Sequence, residues 1–333
     1  MAEIFRFLSF ILFTLFNFIL LRSILPLLKK YITSTPKKRD SHFMPTPSGG
    51  GIIFIISFLV YLFIRLLIFK SKLSIFSIVC IICIPISLIG IFDDIFEIKA
   101  LNRYLIQFLT VICLIFISNY FDFIYPFRNF DLIKIFLFLL TVTSATAIIN
   151  FLNFMDGLDG LLGGVMIIVF SYCALINFPE LWYVVASLVG FIILNWSPAR
   201  VFMGDSGSTF LGALYVGIIL QSDNLYQSVE LILISTPLLA DAFSCVIRRF
   251  SKNQNIFLPH KEHLYQRLNQ AGWSHSNVSK LYLFATVALV TVSYFGNLKI
   301  LTLMVFLEIL IGIYLDKKIA VSFLSNENSI TKI

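Results

Sequence analysis

Long apolar runs separated by short polar stretches dominate the pattern along this chain. About eleven of these runs approach the roughly 20 apolar residues that a transmembrane helix needs. Their apolar residues are continuous rather than alternating, which disfavours a β-barrel. The pattern therefore predicts an all-α, polytopic membrane bundle of about eleven transmembrane helices. The predicted spans lie near residues 4–28, 51–69, 74–92, 104–120, 132–149, 161–178, 181–195, 207–221, 229–247, 280–297 and 299–315.

The composition agrees with this pattern. Of the 333 residues, 59% are hydrophobic and only 13% are charged, and the mean hydropathy is +0.93. A soluble domain is nearer half apolar and a quarter charged. Because lipid offers backbone groups no hydrogen-bond partner, we expect residues 1–333 to form one integral membrane domain. The first apolar run lacks a basic segment before it and is too long for a signal peptide, so we interpret it as a retained span.

The basic residues are distributed unevenly between the predicted loops. The net charge of +7 does not indicate nucleic acid as a partner here, because position matters more than the sum. Seventeen of the 25 lysines and arginines fall in one alternate set of loops and in the C-terminal tail. Loops rich in lysine and arginine stay in the cytoplasm, which predicts an external N-terminus and an internal C-terminus. Every polar motif described below then lies on the cytoplasmic face.

Two adjacent carboxylates, Asp93 and Asp94, directly follow the third apolar run, and Glu97 completes a D-D-x-x-E sequence. Ionisable groups at the end of a membrane span are costly and are therefore candidates for function. Mg²⁺ takes one or two carboxylates and completes its shell with substrate phosphates and water. We interpret Asp93 and Asp94 as metal or catalytic residues, whereas a solvated helix end explains Glu97 as well.

A glycine-rich polar break interrupts the apolar pattern at residues 150–164. It contains Asp156 and Asp159, and Asn150 and Asn153 place amide groups just upstream. The spacing does not match a calcium-binding loop. Asp159 also fits the position of a helix N-cap. A helix N-terminus can hold phosphate or base oxygens, so both interpretations are compatible with a binding site.

A third acidic motif, G-D-S-G, contains Asp205 at the start of another apolar run. It does not indicate a serine protease, because no matching histidine and aspartate accompany it. We predict that Asp205 is a metal ligand. Phe202 could stack on a flat base, although ordinary packing explains one of 36 phenylalanines equally well. Asp241 lies near Arg248 and Arg249, where a buried structural pair and a functional role remain equal alternatives.

The polar segment 251–279 is a predicted cytoplasmic substrate loop. We expect a short amphipathic helix in it, opened by Pro259 and ended near Gly272. His260 and His263 are spaced so that they could share a zinc ion. Since no cysteine or third histidine is near them in the sequence, we do not expect a metal there.

The same loop offers groups that suit a diphosphate. His260 and His263 could contact it together with Lys261 and Arg267, because arginine binds phosphate in a planar, bidentate manner. The alternative is a surface helix that binds anionic lipid, and we give it equal weight.

Taken together, these motifs resemble the polyprenyl-phosphate N-acetylhexosamine-1-phosphate transferase family. Its members include the bacterial enzymes that start peptidoglycan lipid, enterobacterial common antigen and O-antigen synthesis. The resemblance covers about residues 39–282 and follows the family's order. It is carried by P-T-P-S-G-G-G, G-I-F-D-D, N-F-M-D-G-L-D-G-L-L-G-G, N-W-S-P-A-R-V-F-M-G-D-S-G-S and the H-x-x-H loop.

The resemblance implies a role for each candidate residue. Asp93, Asp94 and Asp205 would surround Mg²⁺, or Mn²⁺ in its place, and Asp93 would be the general base or nucleophile. Asn195 would support the site, and Phe202 would stack on uracil. The residues implied for donor binding are Asn150, Asn153, Asp156, Asp159, His260 and His263.

The implied activity is transfer of a sugar-1-phosphate from a UDP-N-acetyl-hexosamine to a polyprenyl phosphate in the bacterial inner membrane, with release of UMP. We leave open a homodimer. The alternative function is a membrane transporter of lipid-linked or anionic solutes, and acids clustered at one interface argue against it.

Two features depart from the family pattern. The muramoyl-pentapeptide branch has adjacent histidines, which Lys261 and Glu262 separate here, so an O-antigen or capsule role fits better than a peptidoglycan role. Either Lys99 or Arg103 could fill the basic position after the paired aspartates.

Overall fold

The chain forms a helical bundle with almost no β-structure among the residues described. The structure, a computed structural model, describes residues 2–34, 45–68, 70–96, 98–120, 131–256, 258 and 260–323. Within those residues, Thr33–Ser34 (β1) and Thr46–Pro47 (β2) form a short antiparallel pair. The helices are α1 Ala2–Tyr31, α2 Ile52–Phe63 with a π-helical extension Ile64–Ile68, α3 Ile75–Phe96, α4 Ala100–Phe116, α5 Asp131–Phe154, α6 Leu161–Ile176, α7 Leu181–Asn195, α8 Gly204–Leu220, α9 Leu225–Ile234, α10 Thr236–Ser251, α11 Leu264–Gln270, α12 His275–Phe295 and α13 Leu298–Lys318.

The apolar helices fit a helical membrane protein, but the eleven predicted spans are not confirmed. Among the described residues, five helices are long and apolar enough to cross a membrane: α1, α3, α5, α12 and α13. The bent pair α9 and α10 would make six if it forms one span. The other apolar helices have 10–17 residues, which is short for the hydrocarbon thickness. Each predicted run does overlap a helix. Continuous apolar residues therefore locate the helices but do not fix how long each helix is.

The ninth predicted span, 229–247, is wrong as a single helix. The chain bends by 78° between α9 and α10. Pro237 lies in the first turn of α10, where its missing N–H leaves no hydrogen bond unmade. That preference starts a new helix within one apolar run.

Helix α8 lies at the centre of the bundle, and it is buried along almost its whole length. A helix that is apolar on all sides is suited to such a position. It packs against α3, α4 and α5. The contact with α3 is close, since a Cβ at Gly90 would lie 2.5 Å from the backbone nitrogen of Ser206. This packing brings the end of α3 next to the start of α8.

The segment before α2 is fastened to the segment before α8 by backbone hydrogen bonds. Phe202 N donates to Pro47 O at 2.8 Å, and Gly50 N donates to Phe202 O at 2.9 Å. Gly51 N donates to Met203 O at 2.8 Å. The glycines at 49–51 therefore allow the two backbones to approach closely, and two of the polar motifs become neighbours.

Candidate active site

The polar motifs surround a pocket of about 290 Å³ at one end of the bundle. Seven of the residues predicted from the sequence line this pocket, and the motifs come together although they are far apart along the chain. The lining residues are Ser34, Ser48, Asp94, Asn153, Asp156, Gly157, Leu158, Asp159, Asn195, Phe202, Met203, Gly204, Asp205, Gln266 and His275.

Asp93 and Asp205 meet at one guanidinium beside the pocket. Arg103 Nη1 lies 2.5 Å from Asp93 Oδ2 and 2.6 Å from Asp205 Oδ2. Asp93 Oδ1 also accepts a hydrogen bond from Ile98 N at 2.6 Å. The structure thus selects Arg103, rather than Lys99, as the basic residue next to the paired aspartates.

Asp94 ties the end of α3 to the beginning of α8. Its Oδ1 accepts a hydrogen bond from Asp205 N at 3.1 Å, and its Oδ2 accepts a longer one from Ser206 N at 3.5 Å. Gly204 adopts a φ of +75°, and a side chain there would collide with Asp94 Oδ2. Glycine is therefore required where the backbone passes this carboxylate.

The two asparagines of the 150–164 motif have different surroundings. Asn153 Nδ2 donates to Asp205 Oδ1 at 3.1 Å and to Ser208 Oγ at 2.8 Å, which fixes the Asp205 carboxylate from the other side. Asn150 Nδ2 donates to Gln107 Oε1 at 2.7 Å and does not line the pocket. Asn153 is therefore part of the acidic cluster, whereas Asn150 joins α5 to α4.

Asp156 faces the pocket close to other carboxylates. Burial, together with the negative charges of Asp205, Asp94 and Asp159, raises the pKa of Asp156 well above its usual range. Burial disfavours an ionised carboxyl, and neighbouring like charges add to that cost. The pocket therefore has excess negative charge that a cation or basic side chain would relieve.

Asp159 is held by contacts from two other segments. Its Oδ2 accepts a hydrogen bond from Ala199 N at 3.1 Å and lies 3.2 Å from His275 Nδ1. Burial acts to raise the pKa of Asp159, but these contacts outweigh it and leave the pKa below its usual value. His275 was not among the residues predicted for the site, although it lies in the predicted 251–279 substrate segment, at the first turn of α12.

Asn195 supports the loop on the opposite side of the pocket. It accepts a hydrogen bond from Gly160 N at 3.1 Å and donates to Val201 O at 2.9 Å. Gly160, which adopts a φ of +72°, begins the turn into α6. Phe202 follows directly after this loop, and its side chain lines the pocket.

The acidic cluster suits a hard divalent cation. Carboxylate oxygens are the ligands that Mg²⁺ prefers. Asp93 and Asp205 both contact the same nitrogen of Arg103, so their oxygens lie close enough to face one cation. Asp94 adds a third carboxylate at the pocket wall. The donor set therefore fits Mg²⁺ or Mn²⁺, with Arg103 as the counter-charge in the present arrangement.

The helix in the 251–279 loop begins later than predicted. It runs from Leu264 to Gln270, and Pro259 lies outside the described residues. Asp241 accepts hydrogen bonds from Leu264 N at 2.7 Å and Tyr265 N at 3.1 Å. A carboxylate satisfies the free N–H groups of a helix start, which explains why α11 begins there. Asp241 thus has a structural role, but with α11 rather than with the nearby arginines.

His260, His263 and Arg267 do not line the pocket. His263 is buried beside Phe154, with ring centroids 6.1 Å apart. Burial, helped by His263 and Arg249, lowers the pKa of His260 to about 3. In the same 251–279 segment, Gln266 and His275 do line the pocket.

Arg267 is occupied by contacts inside the protein. Its guanidinium forms an ion pair with Asp316 of α13, and its Nη1 donates to Val321 O at 3.0 Å. Nε donates to Glu262 O at 3.0 Å. These contacts hold the loop against the C-terminal helix. The predicted contact between Arg267 and a substrate stays a prediction.

Comparison with known proteins shows the family to which the chain belongs. The model of glycosyl transferase family 4 matches residues 75–223, which include the paired aspartates, the 150–164 motif and Asp205. A phospho-N-acetylmuramoyl-pentapeptide-transferase of Petrotoga mobilis is 30% identical over 308 residues, covering 84% of this chain and 95% of that protein. A probable undecaprenyl-phosphate N-acetylglucosaminyl 1-phosphate transferase of Bacillus subtilis is 28% identical over 270 residues, covering 76% and 74%.

These similarities extend over most of the chain, well beyond the acidic motifs. A phospho-N-acetylmuramoyl-pentapeptide-transferase of Staphylococcus epidermidis is 28% identical over 311 residues, covering 83% of this chain and 94% of that protein. The chain therefore belongs to glycosyl transferase family 4, as a polyprenyl-phosphate hexosamine-1-phosphate transferase of the membrane.

Proposed function

We propose that this protein transfers a sugar-1-phosphate from a UDP-N-acetyl-hexosamine to undecaprenyl or another polyprenyl phosphate. An oxygen of the lipid phosphate forms a bond to the β-phosphorus of the donor, and the bond to the α-phosphate oxygen breaks. UMP leaves with that oxygen, and the bond between the sugar and its phosphate stays intact. The named activities of the relatives from Petrotoga mobilis and Bacillus subtilis support this class of reaction.

One observation carries the proposal: Asp94 and Asp205, from two helices distant in sequence, line a polar pocket, and Asp93 lies beside it on the same arginine as Asp205. Phosphoryl transfer depends mostly on positioning and on stabilising charge. Concentrating these acids where two helix ends meet is costly unless a cation shares the site.

The chain's own residues would divide this work. Arg103 holds Asp93 and Asp205 in place and offers a positive charge to a phosphate oxygen. Asp93, fixed by Ile98 N, would act as the general base or the nucleophile. We propose that Asp93, Asp94 and Asp205 bind Mg²⁺, or Mn²⁺. When bound, the ion neutralises negative charge on the donor diphosphate.

The remaining pocket residues would recognise the donor. Asn153, Asp156 and Asp159 offer amide and carboxyl groups to the nucleotide and its sugar, and Phe202 offers a ring for uracil. Asn195 would act by holding the turn at Gly160 in place, and Asn150 by joining α5 to α4.

The 251–279 segment, which carries the two histidines, would have a less direct role in donor binding. His260 and His263 do not line the pocket, and we propose that they act on the donor through the position of the loop that carries them. We propose that Arg267 positions this loop through Asp316. We also propose that the site faces the cytoplasm of a bacterial inner membrane and that the product starts a lipid-linked cell-surface polysaccharide.

The test is UMP release by purified protein in detergent, with undecaprenyl phosphate, Mg²⁺ and a panel of UDP-N-acetyl sugars that includes UDP-N-acetylmuramoyl-pentapeptide. We expect magnesium-dependent release with one donor strongly preferred. Preference for the pentapeptide donor would indicate a role in peptidoglycan synthesis instead of the O-antigen or capsule role expected from the sequence. If folded protein releases no UMP from any donor but vesicles containing it take up such solutes, the transporter alternative replaces the transferase.

A further inference from the structure

A second cluster of metal-binding side chains lies outside the acidic pocket. Cys245 comes from α10, and His260 and His263 come from the loop before α11. One ligating atom from each of the three lies within 4.8 Å of the others. Cys245 Sγ is 4.0 Å from His260 Nδ1, and the two imidazole centroids are 4.9 Å apart. The fold therefore supplies the cysteine that is missing from the neighbourhood of these histidines in the sequence.

An unsatisfied polar atom in the cluster points to a missing partner. His263 Nδ1 is buried and has no hydrogen-bond partner. The nearest carboxylate oxygen, Asp241 Oδ1, is 3.8 Å away, which is too far for a hydrogen bond. Leaving such a nitrogen unpaired in the interior costs about 1–3 kcal/mol. A ligand bound at the cluster would remove this cost, either directly or by drawing the ring towards Asp241.

We propose that Cys245, His260 and His263 bind a borderline or soft divalent cation such as Zn²⁺. Thiolate and imidazole select such ions over Mg²⁺. Zinc bonds of about 2.0–2.3 Å place tetrahedral ligand atoms roughly 3.5 Å apart, so the sulfur and nitrogen need to close by only about half an ångström. On binding, the Cys245 thiol releases its proton to solvent.

The surroundings complete such a site. Asp241 lies beside the His263 ring and is itself fixed by Tyr282 Oη at 2.7 Å and by the first N–H groups of α11. A carboxylate behind a ligating histidine orients the ring and raises its basicity. The nearest buried positive charge, Arg249, is already paired with Glu262. Three protein ligands leave a fourth position for water.

The test is a cobalt titration of purified, reduced, metal-free protein in detergent with no substrate present. Co²⁺ reports a bound thiolate through charge-transfer absorption. We expect one equivalent of Co²⁺ per chain to produce the full charge-transfer band, and one equivalent of Zn²⁺, but not Mg²⁺, to abolish it. Cys245→Ser should abolish the charge-transfer band and weaken Zn²⁺ binding at least tenfold. His260→Ala, at a partly exposed position, should also weaken it at least tenfold.

Cys113→Ser is the matched control, because Cys113 is exposed on α4 and belongs to no cluster of this kind in the described residues. It should leave the band and the affinity unchanged. The proposal is overturned if no band appears in folded protein, or if the band survives in Cys245→Ser. The measurement needs no turnover, so its result is independent of the proposed transferase reaction.

Discussion

At the residue scale, the acidic cluster depends on compensation of charge by particular side chains. Arg103 joins the carboxylates of Asp93 and Asp205, and Asn153 holds Asp205 from the other side. Asp94 accepts hydrogen bonds from the first N–H groups of α8. Asp93 and Asp205 therefore share Arg103, whereas Asp94 is held by the backbone. Each carboxylate oxygen makes one such contact and keeps a lone pair for a ligand, which gives testable consequences for single substitutions.

Removing one charge from the cluster should stop the reaction with little effect on the fold. We expect Asp93→Asn and Asp205→Asn each to lower kcat/KM for UMP release at least a hundredfold, about 2.7 kcal/mol of transition-state stabilisation. Amides keep the shape of the side chains, but without the negative charge they bind a cation more weakly and they cannot take a proton. The matched control is Asp131→Asn, which removes an exposed acid that pairs with Lys134 and should keep full activity. Wild-type rates in the Asp205→Asn variant would show that Asp205 takes no part in the reaction.

Replacement of Arg103, which bridges Asp93 and Asp205, should have two separable effects. Arg103→Gln removes a positive charge that supports phosphate binding, so we expect kcat/KM to fall at least tenfold, about 1.4 kcal/mol. It also removes a cation that competes for Asp93 and Asp205, so half-saturation should need less Mg²⁺. The two quantities come from rate measurements over a magnesium titration. Arg65→Gln, which breaks a pair with Glu180 instead, is the control, and a magnesium requirement that rises in Arg103→Gln contradicts this account.

At the element scale, the site is built by close packing of helix ends. Gly90 lets α3 approach the start of α8, and Gly51 does the same for α2 beside Gly207. Small residues at helix contacts allow such approach in membrane proteins. The carboxylates of α3 reach Asp205 only because of this spacing.

A methyl group in this contact should therefore destabilise the bundle. Gly90→Ala would place a Cβ 2.5 Å from Ser206 N, and overpacking of this kind costs about 1–3 kcal/mol. We expect a lower Tm in detergent and reduced activity. Gly312→Ala in α13 meets no atom within 4 Å and should keep or raise the Tm, because alanine favours helix. Equal Tm values for the two variants would contradict the packing argument.

The sequence predicted the helices and the grouping of the acids better than it predicted breaks and cross-chain contacts. Continuous apolar runs place the helices, but the bend before Pro237 lies inside one such run and only the proline signals it. The choice between Lys99 and Arg103 depends on where α4 begins, which composition does not fix. Cys245 was missed because fifteen residues separate it from His260, and only the fold closes that distance.

At the scale of the whole molecule, the motif-bearing ends of the helices lie together, away from loops such as that around Asp223. The excess of lysine and arginine in the loops of the site end predicts that this end faces the cytoplasm. Donor and lipid phosphate would then meet where nucleotide sugars are made. The orientation itself is open to direct measurement.

Two exposed positions at opposite ends of helices test this orientation. In a Cys113→Ser background, we expect Asp223→Cys to react with a membrane-impermeant maleimide in spheroplasts. Lys252→Cys, at the end of α10 near the site, should react only after permeabilisation. Buried cysteines elsewhere give the background, which is measured in the parent variant. The reverse labelling pattern would place the N-terminus inside and the site outside.

The central claim is that sugar and phosphate move together onto the lipid. The most direct measurement uses a UDP-N-acetyl-hexosamine with one label in the sugar and another in the β-phosphate, incubated with purified protein, Mg²⁺ and undecaprenyl phosphate. The account predicts that both labels enter the lipid phase in equal amounts, with one UMP released for each, and that Asp93→Asn transfers neither. Transfer of the sugar label without the phosphate label, or retention of both labels in the aqueous phase by active, folded protein, would contradict it.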